Sequence, residues 1–93
     1  MASRPLEFHP EAEQEYLTAL AWYRDRSLIA AANFESGFDR AIRRIRGAPE
    51  RWPIYFTDCR KYTLHQFPFS IVYRDFPSHI LVLAGAHGRQ RPG

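Results

Sequence analysis

The spacing of apolar residues changes once along this 93-residue sequence, and that change restricts the fold more than any other feature. In the first half, apolar residues recur every three or four positions, which predicts two amphipathic helices. After residue 57 they recur at every second position, which predicts strands. We therefore expect an α+β fold in the order β-α-α-β-β-β, a small twisted antiparallel sheet with a helical hairpin packed on one face.

Individual residues predict where the helices begin and end. Pro10 suits the first turn of a helix because its missing N–H would have no partner there, and this helix should run to about Arg26. Ser27 is the expected N-cap of the second helix, which Gly47 and Pro49 end. The residues of the second helix that should form its apolar stripe are Ala31, Phe34, Phe38, Ala41, Ile42 and Ile45.

The expected strands lie at both ends of the chain. Residues 6–8 form a short strand before the first helix, and a loop over residues 48–57 follows the second helix. Residues 60–65 and 69–74 are two further strands, because large apolar or aromatic side chains recur at every second position of each run. Pro68 separates the two runs. Residues 80–86 are apolar throughout, which is typical of a strand covered on both faces.

Charge is distributed unevenly along the chain. From Met1 to Asp39, seven acidic residues stand against three arginines, whereas from Arg40 to Gly93 three acidic residues stand against ten Arg or Lys. The net charge is only +3 and the pI is about 9.4. The basic half suits an anionic partner, either nucleic acid or an acidic protein segment.

Several classes of protein do not fit the composition. The single cysteine, Cys59, allows no internal disulfide and fits a reducing compartment. No apolar run approaches the roughly 18 residues of a membrane span, and the N-terminus has no signal-peptide core. We expect one soluble cytoplasmic domain over residues 1–93, without a cofactor. A metal site is not expected either, because the histidines lack ligand spacing: His9, His65, His79 and His87.

A basic cluster near the C-terminus is the strongest candidate for chemistry. Metal-free RNA cleavage needs a general base, a general acid and cations that stabilise the charged phosphorane. His87 has an ordinary pKa near 6.5 and suits either proton-transfer role. The alternative is that the cations are solvated and His87 only ends a strand. The candidate residues are His87, Arg89 and Arg91, with Arg60, Lys61 and Arg74 on the neighbouring strands.

Three other groups have two interpretations each. Trp22 and Tyr23 fit helix packing, or an anchor for a partner, because both residue types are enriched at binding hot spots. The arginines of "RAIRRIR", which are Arg40, Arg43 and Arg44, fit either a solvated helix face or an acidic partner. Cys59 fits a half-buried strand residue better than a nucleophile.

Four segments in this order resemble a known family: "FHPEAEQEYLTALAWYRDRS", "RAIRRIRGAPERWP", "CRKYTLHQFPFSIVYR" and "ILVLAGAHGRQRPG". They are similar to the RelE/ParE superfamily of bacterial toxins from type II toxin–antitoxin modules, and most to its ParE-like (plasmid stabilisation) branch. The resemblance covers residues 6–93. It implies one of two activities, since RelE-like members are ribosome-dependent mRNA endonucleases and ParE-like members are non-enzymatic poisons of DNA gyrase.

The residues that match favour the ParE-like branch. RelE-like nucleases tend to carry an arginine where this chain has Ser70, and a tyrosine near the C-terminus that this chain lacks. Arg89 falls where such nucleases often keep an arginine, and Arg60 and Lys61 fall on a strand that supplies cations in some of them. His87 belongs to an ending that is typical of the ParE-like branch, and no catalytic role follows for it.

The leading hypothesis is therefore a gyrase poison, with the mRNA endonuclease as the alternative. A third possibility is a module that only sequesters its antitoxin. The resemblance implies a cognate antitoxin, commonly ribbon-helix-helix and ParD-like, whose disordered tail folds on the toxin in a hetero-oligomer. We expect the tail to fill a groove with an aromatic floor and a basic rim on the sheet face away from the helices. The candidate residues for antitoxin or target binding are Trp22, Tyr23, Arg40, Arg43, Arg44, Tyr62, Arg74, Arg89 and Arg91.

Overall fold

The computed structural model describes residues 4–87, and of His87 it describes the backbone alone. Over this range the chain forms two α-helices and five strands. A short 3₁₀ helix, Pro49–Arg51, follows the second α-helix. In chain order the elements are β1 (Leu6–Phe8), α1 (Pro10–Arg26), α2 (Leu28–Gly47), β2 (Ile54–Phe56), β3 (Cys59–Thr63), β4 (Phe69–Asp75) and β5 (Ile80–His87).

The five strands form one sheet in the order β1-β5-β4-β3-β2. The expected α+β class is confirmed, and so is the helical hairpin on one face of the sheet. Two details differ from the prediction. β1 pairs with β5 in parallel, so that the sheet is mixed, and β2 lies inside the segment that was expected to be a loop. β2 has only three residues, all of them exposed. Without alternation between buried and exposed positions, the sequence of such a strand has no period-two pattern to detect.

Side-chain caps fix the start of both helices. The Nδ1 atom of His9 accepts a hydrogen bond from the Glu11 amide at 3.1 Å, and the Ser27 hydroxyl accepts one from the Ala30 amide at 3.1 Å. The Ser27 amide also donates to the Tyr23 carbonyl at 2.8 Å, which caps the end of α1. Ser27 thus ends one helix and begins the next, as its predicted N-cap role requires.

An aromatic cluster fills the space between the helices and the sheet. Phe34 of α2 is fully buried, and its ring centroid lies 4.9 Å from that of Tyr23 and 5.3 Å from that of Phe69. Tyr73 is also fully buried, and its hydroxyl donates to the Pro49 carbonyl at 2.6 Å. Five members of the predicted α2 stripe are buried, and Ile42 is half-buried.

Within residues 4–87, helices cover only one face of the sheet. In β5, Ile80 and Val82 are buried, whereas Leu81 and Ala84 are half-buried. The expectation that this strand is covered on both faces is therefore wrong. The reason is that both helices pack on the same side, and the apolar residues between the buried ones face the other side. Within residues 4–87, neither helix is both long and apolar enough to cross a membrane.

Candidate functional site

The sheet face away from the helices, called the uncovered face below, is covered by no helix or strand of residues 4–87. Its centre consists of the half-buried residues Val72, Leu81 and Ala84. The aromatic residues of β3 and β4 do not supply the predicted aromatic floor, because they occupy the positions that point to the helices. Tyr62, Phe69 and Tyr73 are at most 5 % exposed in consequence.

Two cations of the described part of the chain lie on the uncovered face. The Lys61 ammonium lies 4.6 Å from the centroid of the Tyr55 ring. Arg74 is exposed and forms an ion pair with Asp58 at 3.2 Å, while its guanidinium lies 4.9 Å from the centroid of the Phe76 ring. The part of the predicted basic rim that is described therefore consists of Lys61 and a partly neutralised Arg74.

Arg60 does not belong to that rim. It lies directly opposite Tyr73 in the antiparallel pair of β3 and β4, and directly opposed residues share one face of a sheet. Because Tyr73 is buried under the helices, Arg60 is on the helix side, where it donates to the Trp52 carbonyl at 2.6 Å. The predicted patch that joined Arg60 to Lys61 is thus split between the two faces.

Ser70 and Thr63 form a neutral pair on the uncovered face. They are opposite each other in β3 and β4, and their hydroxyl oxygens are 3.0 Å apart. Each hydroxyl therefore has a partner in the other. This pair stands at the place where the resemblance to nucleases would put an arginine.

The C-terminal candidates are only partly described. The backbone of His87 pairs with Phe69 at the end of β5. Arg89 and Arg91 lie outside the described residues. Their grouping with His87 stays a prediction.

Trp22 and Tyr23 have different environments. Tyr23 is buried and contacts the Phe67 ring edge-on at a centroid distance of 5.0 Å. Trp22 is 37 % exposed, and the Arg26 guanidinium stacks 3.6 Å from its ring centroid. Of the two predicted anchors, Trp22 is the one that a partner can reach.

A concave surface lies beside α2. The basic cleft, as we call it, has a volume of about 350 Å³. Sequence reasoning named Arg40, Arg44 and Tyr62 but missed that they meet here, and it missed His65 and Gln66. The signal that was available is the helical spacing of residues 37, 40 and 44, which share one face of α2. The lining residues are Gly37, Arg40, Arg44, Tyr62, Leu64, His65, Gln66 and Phe67.

The structure offers little for metal or thiol chemistry. Among residues 4–87, no three His, Cys, Asp or Glu side chains lie close enough together to hold a metal ion. Cys59 is a free, half-buried thiol at the start of β3.

Solved structures with a similar fold include chains of two toxin–antitoxin systems. One is a chain of the "Chromosomal ParDE TA system from P. aeruginosa", with a TM-score of 0.73 and 16 % identity over 91 % of this chain and 96 % of that one. The fold is RelE/ParE-like. The other is a chain of the intact E. coli RelBE toxin–antitoxin complex, with a TM-score of 0.63 and 15 % identity over 96 % of this chain and all of that one.

Sequence comparison adds nothing to this RelE/ParE-like assignment. No family model matches the sequence, and no curated protein is significantly similar to it. The similarity of the four segments to the RelE/ParE superfamily is therefore supported by the tertiary structure and not by these sequence comparisons. At 15–16 % identity, side chains can differ at every functional position while the backbone is kept.

Proposed function

We propose that this RelE/ParE-like chain is the toxin of a type II toxin–antitoxin system and acts as a non-enzymatic poison of DNA gyrase. The observation that carries the choice of target is the pair of Ser70 and Thr63, whose hydroxyls bind each other at 3.0 Å. A nuclease needs a cation near the developing phosphorane charge. A neutral hydroxyl pair at this position supplies none.

The described cations of the uncovered face support the same choice. Arg74 is already paired with Asp58, and Arg60 is on the opposite face. Lys61 alone is left there without an ion pair among residues 4–87. The fold likeness to the ParDE chain, at a TM-score of 0.73, is consistent with this proposal.

An antitoxin is the partner that the uncovered face fits. Its half-buried aliphatic centre suits the apolar side of an amphipathic segment, and Lys61 and Arg74 suit acidic side chains at the rim. A disordered tail that folds on binding can cover such a large, shallow surface. We propose a hetero-oligomer with an acidic-tailed antitoxin of the ribbon-helix-helix type.

The test uses the full chain with purified DNA gyrase, a supercoiled plasmid and ATP. We expect linear plasmid to appear after detergent and protease treatment, because a poison traps the cleaved complex. Gyrase without the chain, and the chain without gyrase, should leave the plasmid uncut. Intact plasmid at a several-fold molar excess of the chain would disprove the gyrase proposal.

A second candidate, the ribosome-dependent mRNA endonuclease, is favoured by Lys61 alone, whose ammonium sits over Tyr55 on the uncovered face. Induced expression of the chain in bacteria distinguishes the two functions. Filamentous cells with an SOS response support the poison, whereas translation arrest with mRNA cut at ribosomes supports the nuclease. In the second case, His87→Ala combined with Arg89→Ala should abolish cleavage.

A further inference from the structure

The basic cleft is separate from the uncovered face. It lies on the helix side of the sheet, between α2 and the end of β3. Gly37 forms part of its wall, and this residue has no side chain to fill the space in front of Leu64 and Phe67. The cleft is therefore open at a position where nearly any other residue would narrow it.

Two arginines of like charge converge on this cleft. Arg40 and Arg44 are one helical turn apart, a spacing at which like charges repel and destabilise a helix. The ion pairs of residues 4–87 are Arg4 with Asp75 and Arg74 with Asp58, so neither of these two arginines is neutralised there. No acidic side chain is among the described residues that line the cleft.

A buried tyrosine gives the cleft a fixed polar group. Tyr62 is 5 % exposed, and its ring meets Trp52 edge-on with 4.6 Å between centroids. Arg44 donates to the Tyr62 hydroxyl at 3.3 Å. Because the hydroxyl accepts that bond, its own proton remains to be donated to another group.

His65 adds a second neighbour to the same guanidinium. The Nη1 atom of Arg44 lies 3.5 Å from Nε2 of His65. A guanidinium only donates, so Nε2 can accept from Arg44 in the neutral tautomer whose proton is on Nδ1. The cleft thus presents two guanidinium groups and a phenol as donors, with the side chain of Arg44 held by two contacts.

From this arrangement we infer that the basic cleft is a binding site for a phosphate dianion, either free or at the end of a small molecule. A phosphate monoester carries a charge of about −1.5 to −2 at pH 7, which matches two arginines better than a carboxylate does. A guanidinium group can donate two parallel hydrogen bonds to two oxygens of one phosphate. The volume of about 350 Å³ is near the lower end of the range for small-ligand sites. This inference does not depend on the gyrase proposal.

The test is an NMR titration of the full chain with inorganic phosphate and, separately, with adenosine 5′-monophosphate. Ionic strength is held constant with sodium chloride. We expect saturable shifts of the backbone amides of His65, Gln66 and Phe67. Shifts with both ligands indicate a site that reads the phosphate group, and shifts with the nucleotide alone indicate that the rest of the small molecule also binds.

Two matched variants test the residues. Arg40→Gln with Arg44→Gln should weaken phosphate binding at least tenfold. Arg24→Gln with Arg46→Gln removes the same charge from exposed helix positions outside the cleft, and it should change the affinity less than twofold. Thermal unfolding of both variants confirms that they remain folded.

Three results would overturn the inference. An equal loss in both double variants would mean that net charge alone attracts the anion. Acetate shifts that saturate at the same concentration as the phosphate shifts would mean a carboxylate site. Binding of a duplex DNA oligonucleotide through Arg40 and Arg44, with no response to phosphate or the nucleotide, would make the cleft a nucleic-acid contact instead.

Discussion

The two faces of the sheet are built from the same strands but differ in the burial and the polarity of their side chains. On the helix side, Phe69, Ile71 and Tyr73 of β4 are at most 1 % exposed. On the uncovered face, the residues between them, Ser70 and Val72, are half-buried and Arg74 is exposed. A shift of one residue along the chain thus separates the core, which holds the fold together, from a surface that can bind a partner.

The largest expected loss of stability comes from removing a large buried side chain from the covered face. Phe69→Ala removes a ring that contacts both Phe34 and Phe38, and it should lower the free energy of unfolding by about 3–5 kcal/mol. Val72→Ala on the uncovered face, which removes less apolar area, should cost less than about 1.5 kcal/mol. Urea denaturation of both variants measures the two losses in the free energy of unfolding. Equal losses would mean that the covered and uncovered faces contribute alike to stability.

A smaller loss should follow from adding a single methyl group on the covered side. A Cβ atom at Gly85 would lie 2.5 Å from Cζ of Phe69, so Gly85→Ala forces that buried ring to move. We expect a loss of about 1–3 kcal/mol. The double variant with Phe69→Leu should lose less than the sum of the two single losses, because the shorter side chain makes room. Strict additivity would mean that the two residues do not collide.

Removal of one hydroxyl should have a more modest effect. Tyr73→Phe leaves the Pro49 carbonyl without its 2.6 Å donor, which should cost about 1–2 kcal/mol at pH 7. Chemical denaturation of the wild type and the variant gives the difference. A variant as stable as the wild type would show that water replaces this donor.

Tyr73 also makes the stability difference between the wild type and Tyr73→Phe depend on pH. Burial raises the pKa of Tyr73 well above its ordinary value near 10, and the unfolded chain therefore loses this proton first. The stabilising contribution is complete below pH 10 and falls as the pH rises above it. The gap between wild type and Tyr73→Phe should narrow from pH 10 upward, and a gap that stays constant or widens would contradict this sign.

The smallest effect is expected on the uncovered face. Ser70→Ala removes one hydroxyl of the pair with Thr63, but Thr63 is exposed and water can replace the lost partner. The free energy of unfolding should change by no more than about 0.5 kcal/mol. A loss above about 1 kcal/mol would mean that this pair stabilises the sheet rather than marking a binding surface.

Prediction from sequence worked best where the signal was local. The helix boundaries follow from Pro10 and Ser27 and the apolar stripe of α2, and all of these depend on neighbours within a few residues. The candidate site depends more on tertiary structure, which leaves Lys61 half-buried and Arg74 and Trp22 exposed. His65 and Gln66 carried no signal, because their part in the basic cleft depends on a helix that ends almost twenty positions earlier.

The sequence by itself determined the change from helical to strand spacing, the helix caps and the alternation that sorts Tyr62 from Lys61. Only the tertiary structure decided the parallel pairing of β1 with β5, the choice of which sheet face the helices cover, and the meeting of Arg40 and Arg44 with Tyr62. The physical reason is the range of the interactions. Caps and periodicity arise from residues close in the chain, whereas strand order, covered faces and clefts arise from contacts between distant segments.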